Sequence, residues 1–254
     1  MNEGYKDKPK HSDETPFLRE LKDAGLNSTY RKVLDIKVLE GLPNKLIRQW
    51  PIYEESIKTS DHLKNFKRRM GVFRELEEKH GVAIPKMDLA VGKNQEGGRA
   101  MFTVIDKIYG KAALYLSSLS EEAVRKFDEF FAALAKHYIQ AYEKGGDYWD
   151  DFNLKQIVYG HKAGEEEDRV YIVDTDPYIC FYNKKESSLG EVPLRELFEL
   201  LDQVKFMEVY SQLPAKKFSL FRRTVDELLI KALKDEESPD IVNYIHKIRS
   251  SFNT

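Results

Sequence analysis

Two short acidic segments carry the residue types that phosphoryl chemistry needs. The first, Tyr148-Trp149-Asp150-Asp151-Phe152-Asn153-Leu154-Lys155-Gln156-Ile157-Val158-Tyr159, sets Asp151 five residues before Gln156 and closes in an apolar run. The second, Tyr171-Ile172-Val173-Asp174-Thr175-Asp176-Pro177, ends a strand-like run in a carboxylate fifteen residues after Tyr159. Phosphoryl transfer requires a carboxylate that orients the attacking hydroxyl and takes its proton. It also requires an amide or carboxylate oxygen on one metal ion, and a further carboxylate on the Mg²⁺ that neutralises the phosphates. Asp151, Gln156 and Asp174 supply those types. Taken singly, Asp150 and Asp151 read as a solvated turn and Asp174 with Asp176 as a strand terminus; the joint spacing points to chemistry.

The elements around these segments change character along the chain. Val33 to Leu39 and Leu46 to Trp50 are β-rich runs separated by Glu40-Gly41-Leu42-Pro43-Asn44, which predicts a β-hairpin within Lys32 to Ile52. Leu63, Phe66, Met70, Phe73 and Leu76 recur at helical spacing until Gly81, predicting one amphipathic helix over Asp61 to His80. Its Lys64, Lys67, Arg68, Arg69 and Arg74 form a solvated face rather than a nucleic-acid patch. Val82 to Gly92 and Ala100 to Ile105 read as extended. Ser120 then caps a helix with Glu121 and Glu122 in its first turn and a buried face of Val124, Phe127, Phe131, Leu134 and Tyr138, up to Gly145-Gly146. Two short strands, Gln156 to Tyr159 and Val170 to Val173, flank an acidic turn, and helices follow over Leu194 to Tyr210, Ser219 to Lys234 and from Ser238-Pro239 onward.

The expected organisation is α+β: a flexible lead-in over 1–15, a β-rich lobe over 16–106 with one main helix, and a helical lobe over 107–254. With 254 residues, 41 % of them hydrophobic, the chain buries a sizeable core. Its 41 Lys and Arg against 43 Asp and Glu give a net charge of −2, which lacks the electrostatic footprint of a general nucleic-acid binder. A single cysteine, Cys180, excludes an intramolecular disulfide and a thiolate zinc site, and the six histidines show no metal-ligand pairing. Nothing approaches the roughly 20 apolar residues that span a bilayer, so the expectation is a cytoplasmic protein with no membrane partner.

The two acidic segments resemble the catalytic loop and the metal-binding strand end of the protein-kinase-like superfamily, in the compact form of the aminoglycoside-phosphotransferase-like members. The likeness covers about Gly25 to Leu213. Met101 to Lys111 resembles the last small-lobe strand running into the hinge, and Gly81 to Lys86 resembles the exit of the small-lobe helix. The resemblance implies a bilobal fold with ATP between the lobes and transfer of its γ-phosphate to a hydroxyl on a protein or small molecule. It implies Asp151 as base and Gln156 and Asp174 on Mg²⁺. It further implies Arg48 on the phosphates, hinge residues Asp106 and Ile108 beside adenine, and a phosphate loop containing Ser28 and Thr29.

This chain departs from the family at five places: Trp149 replaces a His, Gln156 replaces an Asn, Arg48 stands where the strand normally offers Lys, Lys67-Arg68-Arg69-Met70 stands where the helix normally offers Glu, with Glu75 the first acidic candidate, and Gly25 to Val33 has one glycine where the phosphate loop is normally glycine-rich. These departures keep open a pseudokinase, a nucleotide- or partner-binding module without catalysis. Transfer of AMP instead of phosphate is a third reading.

Overall fold

A computed structural model of the chain describes residues 30–33, 36–39, 42–49, 59–93, 99–150, 152–174, 178–183, 193–234 and 236–253. It is a mixed α+β structure whose contacts divide it into two compact units. The first comprises Met1–Glu55 and Lys86–Asp106, the second Ser56–Pro85 and Lys107–Thr254.

The first unit is a five-stranded antiparallel sheet. Strands β1 (Tyr30–Val33), β2 (Ile36–Leu39), β3 (Leu42–Gln49), β4 (Met87–Lys93) and β5 (Arg99–Asp106) lie in the order β1-β2-β3-β5-β4. The β2–β3 hairpin expected from sequence is present, with a register shift at Val38/Leu39. The run Val33 to Leu39, which reads as one strand in the sequence, is shared between β1 and β2, whose register closes at Val33↔Ile36. Central strand β5 is buried from Phe102 to Ile105, and Ile47 of β3 is paired with Val104. Such continuous burial is the signature of an interior strand rather than an edge.

The second unit is built on helices. α1 (Thr59–His80) buries Val72, Phe73 and Leu76 and ends at Gly81, whose φ of +71° is a conformation that glycine adopts without penalty. Beyond that turn Ala83 forms a parallel bridge with Tyr171 and accepts the Ile172 N–H at 3.1 Å.

α2 (Glu121–Lys144) is the spine of the unit. The Ser120 hydroxyl accepts the Ala123 N–H at 3.1 Å at its start, and Gly145 terminates it. Phe127, Phe131, Leu134, Ala135 and Tyr138 are wholly enclosed. α3 (Leu194–Tyr210) and α4 (Ser219–Lys234) pack on it, and α5 (Pro239–Asn253) packs in turn on α3 and α4. Asp128 on α2 accepts the Leu220 and Phe221 N–H groups at 2.9 and 2.8 Å, which satisfies first-turn donors of α4 that lack helical partners.

Two small antiparallel sheets complete the second unit. β6 (Ile108–Ala112), β8 (Ile157–Lys162) and β9 (Arg169–Ile172) form one, in the order β6-β8-β9; β7 (Gly146–Asp150) and β10 (Tyr178–Tyr182) form the other. Gly110 and Gly160 are register partners across β6 and β8. A Cβ on Gly110 would meet the Tyr159 carbonyl oxygen at 2.1 Å, and one on Gly160 would meet that of Tyr109 at 2.3 Å. The segment after Gly145, which reads as an open loop in the sequence, is strand β7; the β-favouring pair Tyr148-Trp149 finds its hydrogen-bonding partner in Ile179 and Cys180.

Candidate functional site

β7, the 3₁₀ turn Leu154–Gln156 and the strand end of β9 converge on the Asp174 carboxylate. Trp149 is fully buried, held edge-on between Phe73 of α1 at 6.0 Å and Phe152 at 5.8 Å between ring centroids. A buried indole N–H needs an acceptor. Nε1 donates to Asp174 Oδ2 at 3.3 Å.

The same oxygen accepts the Gln156 Nε2–H at 3.2 Å. The orientation of that amide is set by its other end, because Gln156 Oε1 accepts the Asn153 backbone N–H at 3.1 Å while Asn153 Oδ1 accepts the Lys155 N–H at 2.9 Å. Asn153 and Gln156 thus make a reciprocal capping box around one short turn. A further bond, from the Val173 N–H to the Gln156 carbonyl at 2.7 Å, ties the turn to the β9 exit.

His137 supports the arrangement from α2. It is 2 % exposed, and its Nε2 accepts the Trp149 backbone N–H at 3.4 Å. Burial, aided by the neighbouring His80, pushes this imidazole down to about 4, so it is the neutral acceptor at ordinary pH. α1 is tied to β7 by the Arg68–Asp147 ion pair at 2.5 Å, and Glu75 is bound by Gln140 at 2.9 Å and Lys79 at 2.8 Å.

Of the residues singled out in the sequence, Gln156 and Asp174 are brought into direct contact, and Ile108 opens β6 in the same unit. Arg48 and Asp106 belong to the first unit. Arg48 is half-buried on β3 opposite Thr103, and the Asp106 carboxylate accepts a hydrogen bond from Lys45, its partner across the sheet. Asp151, Ser28 and Thr29 lie outside the described residues.

Mg²⁺ takes oxygen ligands in near-octahedral geometry. The buried Asp174 carboxylate fits that requirement. Gln156 turns its nitrogen toward Asp174 and its oxygen toward Asn153, so it would become a ligand only by rotating the amide and giving up the Asn153 N–H. Among the described residues no three His, Cys, Asp or Glu side chains gather as a ready-made metal site.

Sequence reasoning alone misses Trp149 as a donor, Asn153 as a cap and His137 as a support. The cap has a local signal, since Asn153-Leu154-Lys155-Gln156 has the capping-box spacing. The other two depend on contacts between elements. No family model matches this chain, and no curated protein matches it either.

Proposed function

We propose that this protein is an ATP-dependent phosphotransferase of the kinase-like kind, which transfers the γ-phosphoryl group to a hydroxyl on a protein or small molecule. The observation that supports the reading is the meeting of Gln156 and Asp174 at 3.2 Å. Two segments chosen for their residue types come together around one buried carboxylate. The bilobal arrangement with ATP between the lobes belongs to this proposal, as does a cytoplasmic location; no described helix is long and apolar enough to cross a membrane.

In the proposed reaction the acceptor oxygen forms a bond to the γ-phosphorus, the bridging bond to the β-phosphate breaks, and ADP leaves. Asp151 takes the hydroxyl proton. Asp174 would hold Mg²⁺, which when bound supplies neutralisation of phosphate charge. The contribution of Gln156 is to point Asp174, and that of Trp149 is to hold it from the buried side. Arg48, Asp106, Ile108, Ser28 and Thr29 would contact the nucleotide.

The test is transfer of labelled γ-phosphate to components of a cell lysate or to the protein itself. Asp151→Asn should leave ATP affinity nearly intact and lower turnover by something like 10²- to 10⁴-fold, the range of a lost general base. Equal, background transfer by wild type and Asp151→Asn under conditions where ATP binds would exclude the reading. A second reading, the pseudokinase, is favoured by one observation: Gln156 offers an N–H to Asp174 where a metal site would use an oxygen.

A further inference from the structure

A notch of about 260 Å³ opens in the second unit, where the turn after α1 meets α2 and the start of β9. The helix supplies one stripe to it, since Lys126, Glu129, Phe130 and Ala133 stand at i, i+3, i+4 and i+7 along α2. Val82, Phe130, Ala133 and Val170, each 7 % exposed or less, close its base, and its sides are polar.

The ion pairs at its rim do not close. Arg125 lies 2.7 Å from Glu122 and 2.6 Å from Glu129, while Lys126 pairs with Glu167 and stands 3.7 Å from Glu122, so two cations serve three carboxylates. Glu129 gives only Oε1 to Arg125, and its Oε2 bonds to no described residue. A third cation, Arg169, lines the same notch and makes no hydrogen bond or ion pair with a described residue. Of the acids in the turn before it, Glu165 accepts the Tyr171 hydroxyl at 2.8 Å and Asp168 meets His161 at 2.8 Å.

His80, the last residue of α1, adds an uncommitted imidazole: neither ring nitrogen bonds to a described residue, and Nε2 is enclosed. A molecule that carries an anion and a cation on one carbon satisfies both open charges and adds no net charge. The planar fork of a guanidinium matches a carboxylate, and a carboxylate oxygen accepts an ammonium N–H. Partial enclosure makes each contact stronger than the same pair on an open surface. The volume is that of roughly nine water molecules at about 30 Å³ each, which accommodates a free amino acid.

We propose that this notch is a binding site for a free α-amino acid, with the ligand carboxylate on Arg169, the ligand ammonium on Glu129 Oε2, and His80 as a further hydrogen-bonding group. A simple anion would face Glu129, and a simple cation would face Arg169 and Lys126. Neither Asp174 nor a nucleotide takes part, so the site is independent of the phosphotransferase reading.

Titration of the full chain with L-leucine, followed by NMR, tests this. Saturable binding in the millimolar range should shift the His80 ring signals, identified by their loss in His80→Gln. Arg169→Ala and Glu129→Gln change exposed side chains, so both should fold as wild type does. Each should bind L-leucine about tenfold more weakly, the effect of losing one hydrogen bond to a charged group that water partly screens. On wild type, 4-methylpentanoate, which lacks the ammonium, and 3-methylbutylamine, which lacks the carboxylate, should each show about the same loss.

No saturable binding of L-leucine up to about 10 mM overturns the proposal. So does binding that leaves the His80 signals unmoved, or an affinity unchanged in either Arg169→Ala or Glu129→Gln. Equal affinity for L-leucine and 4-methylpentanoate overturns it as well, since the ammonium would then contribute nothing.

Discussion

Gln156 grips Asp174 by its amide nitrogen, 3.2 Å from Oδ2, while its oxygen stays with Asn153. Gln156→Glu keeps the Asn153 bond and sets a carboxylate against Asp174. Like charges at that range destabilise, so the variant should unfold more easily than wild type in EDTA, by about 1–3 kcal/mol. Mn²⁺ should restore it, because two facing carboxylates suit a divalent cation. Urea titrations with and without Mn²⁺ measure both effects, and a variant as stable as wild type in EDTA would show that the amide N–H is not holding Asp174.

Trp149→Phe keeps most of the aromatic volume between Phe73 and Phe152 and deletes the indole donor to Asp174. Stability should fall by about 1–3 kcal/mol, since the donor is lost from a buried carboxylate. A double-mutant cycle with Asp174→Asn isolates the bond, and a coupling of about 0.5–3 kcal/mol is expected. Strict additivity would mean that the two side chains do not interact.

His137 supplies a pH dependence whose sign follows from its burial. The folded imidazole titrates at about 4 against 6.5 in the unfolded chain, so between these values the unfolded state binds more protons. Stability from this group is complete above about pH 6.5 and is lost as pH falls toward 4, by roughly 3 kcal/mol in all. Subtracting the profile of His137→Gln from that of wild type removes the contribution of the carboxylates. A flat difference would place the imidazole in contact with water.

Arg48 alternates with the core residue Ile47 along β3 and therefore presents to the opposite face of the strand. If that face meets the phosphates, Arg48→Ala weakens ATP binding by about 1.5–3 kcal/mol, the size of a hydrogen bond to a charged group. Calorimetry with ATP reads this directly, and unchanged affinity would remove Arg48 from the nucleotide site.

The elements legible in the sequence are those whose signal is local. α3 and α4 match the predicted Leu194 to Tyr210 and Ser219 to Lys234, and Ser120 caps α2 as its spacing implies. α1 starts two residues before the predicted Asp61. β7 and β10 are not recognisable as a pair, because Trp149 meets Ile179 only across 29 intervening residues and neither run alternates between polar and apolar. The notch lined by His80, Glu129 and Arg169 is hidden for the same reason. Residues from three elements meet there, and no spacing along the chain announces it. The contact of Gln156 with Asp174 is legible because a short hairpin, β8–β9, folds one segment back onto the other.

The face-to-face glycines of β6 and β8 constrain how this sequence can vary. A methyl group at either position runs into the partner strand's backbone, which cannot swing aside as a side chain would, and glycine leaves nothing smaller for a second change to restore. In a saturation library selected for folded protein, glycine alone should survive at positions 110 and 160, separately and in combination. Gly71, exposed within α1 where an added methyl group would meet nothing within 4 Å, is the internal control. Alanine there should be enriched, since it raises helix stability by about 0.5–1 kcal/mol.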